Sequence, residues 1–225
     1  MTDPVPQRPT APLPDGTVDA VLFDLGNVLV GWDPYGAFAG LDRAEVDAWM
    51  TEVDFARFNR AQDAGRSWSD AVAHLQVTRP HLAGLAEHYA RRYRRTLTGP
   101  VPGAADVVDE LDAGGVALYG LTNWAADTYH HAEPAAPAIG RLRDVLVSGR
   151  VGLAKPDPEI FRLAASRFDL RPQRTVFVDD TAANVEAARA VGFRAVHFTG
   201  TPALRTALAD LGLPVTRPPA TPQHG

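Results

Sequence analysis

The 225-residue chain contains no cysteine, which excludes disulfides, thiolate nucleophiles and cysteine-ligated zinc or iron–sulfur centres. Lysine is nearly absent too: of the 22 basic residues, 21 are arginine and the single lysine is Lys155. No apolar run approaches the roughly 18 residues that a transmembrane helix needs. The first residues also lack the cationic and then apolar stretches of an export signal. A cytoplasmic location without a membrane partner is therefore the expectation. Nor is positive charge in excess, since 22 Lys and Arg stand against 27 Asp and Glu, a formal charge of −5. That balance does not suit a general affinity for nucleic acid and leaves a small molecule as the default partner. Nothing in the sequence marks an oligomeric state.

What the chain does have is an ordinary globular composition, 45% hydrophobic and 22% charged, with nine of its 19 prolines crowded into the two ends. Residues 1–16 and 214–225 are expected to be extended or disordered tails around a body spanning 17–213. The body opens with the apolar run 18–23, which predicts a buried strand. From Asp42 to Leu97 the pattern is helical and contains no strand signal. Asp42 three residues ahead of Glu45 suits a helix start, Ser67 or Ser69 suits another, and Leu85, Tyr89, Tyr93 and Leu97 recur every four residues. Beyond Gly99-Pro100 helices and strands alternate. Helices are expected at 103–113, near 124–131 and at 157–168, 182–191 and 202–211, and strands at 116–121, 144–148, 174–178 and 193–198. Alternation of this kind predicts an α/β fold built on a doubly wound parallel sheet, with 33–97 as a small helical domain inserted after the first strand.

Ligands bind such sheets at the carboxyl ends of the strands. The residues standing there are Asp24, Thr122-Asn123 and Asp179-Asp180, with Lys155 in a loop ahead of a helix. Each is polar where its predecessors are apolar. Three carboxylates brought together repel one another unless a cation lies between them, and an all-oxygen donor set favours a hard ion such as Mg²⁺. The lysine and the threonine add positive charge and donors, and the whole set suits a phosphoryl group beside a carboxylate free to attack it. An aspartate at a strand end taken alone would read as a turn or cap residue; the combination is what carries the chemistry. Trp32, Asp33 and Trp124 stand where the body would meet the insert and are further pocket candidates. Arg91, Arg92, Arg94 and Arg95 read as a solvated helix end, and His130 and His131 as a helix surface.

Four segments resemble the motifs of the haloacid dehalogenase-like hydrolase superfamily, in its order: Val21–Val30 (VLFDLGNVLV), Leu121–Asn123 (LTN), Gly152–Phe161 (GLAKPDPEIF) and Val176–Asn184 (VFVDDTAAN). Thr122 follows Asp24 by 98 positions, which leaves room for a helical cap; Lys155 follows Thr122 by 33 and Asp179 follows Lys155 by 24. The resemblance implies a Rossmann-like core at 17–32 and 98–213 with a cap at 33–97, and a Mg²⁺-dependent phosphatase that works through an aspartyl-phosphate. It implies Asp24 as nucleophile and Asp24, Asp180 and the Gly26 carbonyl as metal ligands, with Asp179 direct or behind them. Thr122 and Lys155 would hold the transferring group, with Asn123 supporting it through backbone or side chain, and Asn184 would orient the lysine or the metal shell; Asn123 and Asn27, with the pocket candidates Trp32 and Trp124, are the expected substrate-binding residues. Phe23–Asn27 (FDLGN) is similar to the branch that includes sugar-1-phosphate phosphatases.

One position departs from the family's phosphatases, which usually carry an aspartate two residues after the nucleophile to protonate the leaving oxygen. Here that residue is Gly26. The departing oxygen must then leave as an anion, take a proton from water, or borrow one from the cap. The expectation from Gly26 is therefore a steep preference for activated esters, such as aryl or anomeric sugar phosphates, over simple alkyl phosphates. A 2-haloacid dehalogenase on the same fold, which needs no divalent metal, and a regulatory module that binds without turnover are the competing readings. The acidic pair Asp179-Asp180 argues against the former.

Overall fold

The computed structural model describes residues 17–219, so the proline-rich segment 1–16 and residues 220–225 lie outside the described residues. The apolar run at the start of the body forms β1 (Ala20–Phe23). Its side chains are buried on both faces, Val21 and Phe23 in one cluster and Leu22 in the other. A tight loop leads into β2 (Val30–Trp32), then a 3₁₀ turn at Pro34–Phe38 and four helices: α1 (Arg43–Val53), α2 (Phe55–Asp63), α3 (Trp68–Thr78) and α4 (Pro80–Arg91). The chain returns along β3 (Leu97–Pro100), which pairs antiparallel with β2. There follow α5 (Ala104–Ala113), β4 (Ala117–Thr122), α6 (Ala132–Ala135), β5 (Val145–Val147), α7 (Ser148–Val151) and α8 (Pro158–Arg167). The body ends with β6 (Thr175–Asp179), α9 (Ala182–Val191), β7 (Arg194–His197) and α10 (Thr201–Asp210).

The main sheet is parallel throughout, in the order β5-β4-β1-β6-β7. This is the doubly wound α/β fold, with β1 at the centre and the strands that carry the chemistry on either side of it. One face packs Val21 and Phe23 against α5 and α10 through Val107, Leu111, Leu204 and Leu208, and the other packs Leu22, Leu121 and Phe177 against α8 and α9 through Ile160, Phe161 and Ala188. In the insert the core is aromatic: Phe38, Trp49, Phe55, Phe58, Trp68, Tyr89 and Tyr93 form a run of ring contacts 4.7 to 6.5 Å apart. Asp42 and Ser67 cap α1 and α3 by accepting the N–H of Glu45 and of Asp70, both at 3.0 Å, as their spacing predicts.

The structure departs from the sequence reading in four places. The ribbon of β2 and β3 was not expected, because strands of three and four residues interrupted by Gly31, Gly99 and Pro100 carry no alternation. The fourfold recurrence from Leu85 to Leu97 is not one helix: α4 ends at Arg91, a 3₁₀ turn spans Tyr93–Thr96, and Leu97 already belongs to β3. The helix expected near 124–131 is an irregular segment followed by a 3₁₀ turn at Tyr129–His131. Trp124 is tied sideways instead, its N–H donating to Ser148 Oγ at 2.9 Å and its carbonyl accepting from Gly149 N–H at 3.1 Å. Lastly, the chain beyond 213 stays on the body as far as Arg217. Glu110 accepts the Thr216 N–H at 2.6 Å, Arg205 donates to the Thr216 carbonyl at 3.1 Å, and Arg217 pairs with Asp210. These partners satisfy backbone groups that proline content alone suggested would stay in water.

Candidate active site

The site grows from the carboxyl end of β1. Asp24 N–H donates to the Val178 carbonyl at 2.8 Å, which prolongs the β1–β6 ladder by one step and sets Asp24 beside Asp179. The chain then turns sharply, the Leu25 carbonyl accepting the N–H of Val28, Leu29 and Val30 at 3.3, 2.9 and 2.9 Å. Asn27 takes a left-handed φ of 56° in this turn, a conformation that asparagine tolerates better than most residues, and its Oδ1 accepts the Trp32 N–H at 3.0 Å. The turn leaves the Gly26 backbone facing the cavity above the strand ends, and a Cβ placed at Gly26 would meet nothing within 4 Å.

Lys155 reaches the strand ends from the loop after α7 and is buried, its side chain 1% exposed. Its ammonium pairs with Asp24 Oδ1 at 2.8 Å and Asp179 Oδ2 at 2.6 Å and donates to the Leu121 carbonyl at 2.9 Å. Burial by itself would push this ammonium down, but the Asp24 and Asp179 carboxylates more than offset that and hold it above its ordinary value. Asn123, at the end of β4, clamps the same loop: its Nδ2 donates to the Lys155 carbonyl at 2.9 Å and its Oδ1 accepts the Lys155 N–H at 2.8 Å. That side chain thereby places the lysine, and the residue also lines the cavity above the strand ends.

Asp179 is also fully committed. Its Oδ1 accepts Thr181 N–H at 2.8 Å and Asn184 Nδ2 at 3.0 Å, and its Oδ2 accepts Asn184 Nδ2 at 3.1 Å besides Lys155. Asn184 thereby holds it in place beside Asp24. Asp180 turns the other way, into the cavity, with only Thr181 Oγ1 at 3.3 Å on its Oδ1. Carboxylate oxygens of Asp24, Asp179 and Asp180 all lie within 4.8 Å of one another. Three carboxylates thus face one ammonium. Desolvation, reinforced by Asp179 and Asp180 and opposed by Lys155, raises the Asp24 carboxyl above its ordinary range. The donor set is hard oxygen throughout and short of positive charge, so it fits a divalent cation of the Mg²⁺ kind.

A cavity of about 170 Å³ opens over these groups. Of the residues singled out in the sequence, Asp24, Gly26, Asn27, Trp32, Asn123, Trp124 and Asp180 line it. Thr122, Lys155, Asp179 and Asn184 do not line it: all four are buried, Lys155 between Asp24 and Asp179, Asn184 against Asp179, and Thr122 at the end of β4. Asp33 instead caps the 3₁₀ turn by accepting Tyr35 N–H at 2.9 Å. His130 and His131 lie together in a separate groove with Arg91, which pairs with Glu87 at 2.7 Å. The cavity also takes in Asn59 and Asp63 from α2, Tyr93 and Thr181, none of which the sequence marked as site residues. Ser148 and Gly149, just past β5, were missed too, although residues at a strand's carboxyl end are where a doubly wound sheet places its functional groups.

This chain belongs to the haloacid dehalogenase-like hydrolases, whose family model matches residues 18–192, more than half of its length. Among curated proteins it is 28% identical over 185 residues to a sesquiterpene phosphatase of Aspergillus oryzae, an alignment covering 81% of this chain and 91% of that one. Its fold is shared with a family enzyme of Bacteroides thetaiotaomicron in complex with magnesium and inorganic phosphate (TM-score 0.65, 19% identity, 81% and 95% of the two chains). It is shared equally with the L-2-haloacid dehalogenase of Xanthobacter autotrophicus (TM-score 0.61, 20% identity, 86% and 83%). One fold thus serves both phosphate esters and carbon–halogen bonds, and the site has to separate them.

Proposed function

We propose that the protein is a Mg²⁺-dependent phosphomonoester hydrolase acting on a small phosphorylated metabolite, with 17–32 and 98–213 as its catalytic core and 33–97 as a cap. The observation that carries this reading is the arrangement around Asp24. Its Oδ1 is held by Lys155 and by the Leu25 N–H at 2.7 Å, which aims the other oxygen at the cavity beside Asp180. Asp24, Asp180 and the Gly26 carbonyl would hold Mg²⁺, which when bound neutralises the cluster and draws charge from the phosphoryl oxygens. An Asp24 oxygen attacks phosphorus, the bond to the ester oxygen breaks, and the alcohol departs; water then attacks the aspartyl-phosphate, releasing phosphate and restoring the carboxylate. Lys155 holds Asp24 in place and balances charge on the transferring group, and the Thr122 hydroxyl donates to it. The name of the Aspergillus relative and the acidic pair support a phosphatase over a dehalogenase, for which Asp180 would have no work.

Phosphate release from p-nitrophenyl phosphate with Mg²⁺ should be measured beside chloride release from chloroacetate with chelator. Wild type should release phosphate only, and Asp24→Asn, which keeps the shape but loses the attacking charge, should fall to background. Chloride without metal would identify a dehalogenase, and neither product a binding module.

A further inference from the structure

Gly26 leaves the leaving-group oxygen without the acid that residue 26 usually supplies in this family's phosphatases, and the open space at a Gly26 Cβ shows that no neighbouring side chain has moved into that place. Besides Asp24 and Asp180, one other carboxyl group among the described residues lines the cavity, that of Asp63 at the last turn of α2. From this placement we infer that Asp63 is the general acid that protonates the departing oxygen, an assignment that rests on the phosphoryl-transfer reading above.

Several local features place this side chain. The turn after α2 rests on α7 and its capping Gly152, ahead of the loop that carries Lys155: a Cβ at Gly65 would stand 3.6 Å from both the Gly149 carbonyl oxygen and Gly152 Cα. One helical turn earlier, Asn59 Nδ2 donates to Asp63 Oδ2 at 3.2 Å, which fixes the carboxyl's orientation and leaves Oδ1 for the proton. The neighbouring Gln62 is buried and anchors the end of α2, its Nε2 donating to the Phe58 carbonyl at 2.6 Å and its Oε1 accepting Arg66 Nε at 2.6 Å. The groups whose charge Asp63 feels, or that feel its own, are Lys155 from the core loop, Arg60 from its own helix, and the Tyr89 and Tyr93 hydroxyls. Burial pushes the Asp63 carboxyl up to about 7, against the opposing pull of Lys155 and Arg60, so both its forms are present near neutral pH. Burial also raises the Tyr93 phenol well above its ordinary value, which makes it a poor donor.

In the first step the electron pair of the breaking P–O bond passes to the ester oxygen and Asp63 Oδ1 gives up its proton to it, so that the product leaves as a neutral alcohol. In the second, the Asp63 carboxylate takes a proton from the water that attacks the aspartyl-phosphate, and the residue returns to its starting form. This is the route through the cap, and with it the steep preference for activated esters expected from Gly26 alone would not hold.

The test is a series of phosphate monoesters of graded leaving-group pKa, from nitrophenyl to simple alkyl, with wild type and Asp63→Asn compared at fixed Mg²⁺. Wild-type kcat/KM should vary little along the series. In Asp63→Asn the alkyl esters should lose roughly 10²–10⁴-fold, the size of general-acid assistance, while the nitrophenyl ester, which needs no proton, loses under about tenfold. An equal loss along the whole series, or none, would overturn the assignment. A second measurement needs no variant: the wild-type series repeated across pH should show a leaving-group dependence that steepens above pH 7, and a pH-independent slope would equally overturn it. Failure of the phosphatase reading would look different, since wild type would then hydrolyse no member of the series and the assignment would fall with it.

Discussion

Lys155 illustrates how much one side chain can carry. A compact ammonium on a flexible stem fits between Asp24 and Asp179, 2.8 and 2.6 Å away, where a planar guanidinium would not. This accounts physically for the one lysine in a chain that otherwise uses arginine. Removing one partner of a buried ion pair leaves an uncompensated charge, so Lys155→Met should cost roughly 3–5 kcal/mol of stability at pH 8 with chelator present. The cost should shrink at pH 5, because the Asp24 carboxyl, already raised by burial, takes up a proton in place of the lost cation. Urea unfolding at the two pH values checks this, and an equal cost at both would contradict it. At this scale the core of the site was legible: Asp24 and Asp180 follow from polar residues ending apolar strands, and Lys155 from its place as the one lysine in a loop ahead of a helix. Asn123 was legible in position, but its two bonds to the Lys155 backbone were not, since they join residues 32 apart in the chain.

Among the elements, those with strong periodicity or clear caps were readable, and those held by partners distant in sequence were not. β1, β4 and β6 announce themselves as apolar runs ending in polar residues, while the β2–β3 ribbon exists only because residues 30–32 and 97–100 meet in space. The segment after Trp124 looks helical in sequence but is held to α7 by Ser148 and Gly149. Gly149 is needed there for its lack of a side chain: an added Cβ would come within 2.6 Å of Ala126 N and 2.7 Å of the Trp124 carbonyl oxygen. Gly149→Ala should therefore destabilise by about 1–3 kcal/mol through overpacking. It should also lower kcat/KM, because Trp124 lines the cavity. Thermal unfolding and steady-state kinetics on the variant test the two effects together, and a neutral substitution would contradict the packing. Asp63 was illegible for a related reason, since nothing in FNRAQD says that the end of α2 will be laid over the sheet.

For the molecule as a whole, the cavity gathers more negative charge than the protein neutralises. Asp24 and Asp63 both have carboxyl groups raised above the ordinary value of 3.8 by burial. A raised acid contributes stability that is complete below its unfolded value and is lost as pH climbs through its folded one, so the metal-free protein should weaken between about pH 4 and pH 7 on their account. Mg²⁺ at a hundred times its Kd should add about 2.7 kcal/mol, or roughly 5–10 °C in Tm for a domain of this size, at pH 8. The gain should be smaller at pH 5, where protons compete for the same oxygens. Among the described residues no helix is long and apolar enough to cross a membrane. A Tm indifferent to Mg²⁺ at both pH values would count against the cluster as a metal site.

The most direct measurement of Asp24 as a nucleophile is the mass of the protein itself, quenched with acid during turnover of a phosphate ester and digested. The peptide containing Asp24 should carry one added phosphoryl group, absent before substrate is added and absent in Asp24→Asn. Steady hydrolysis by wild type with that peptide unmodified, or the same adduct in Asp24→Asn, would contradict the covalent route.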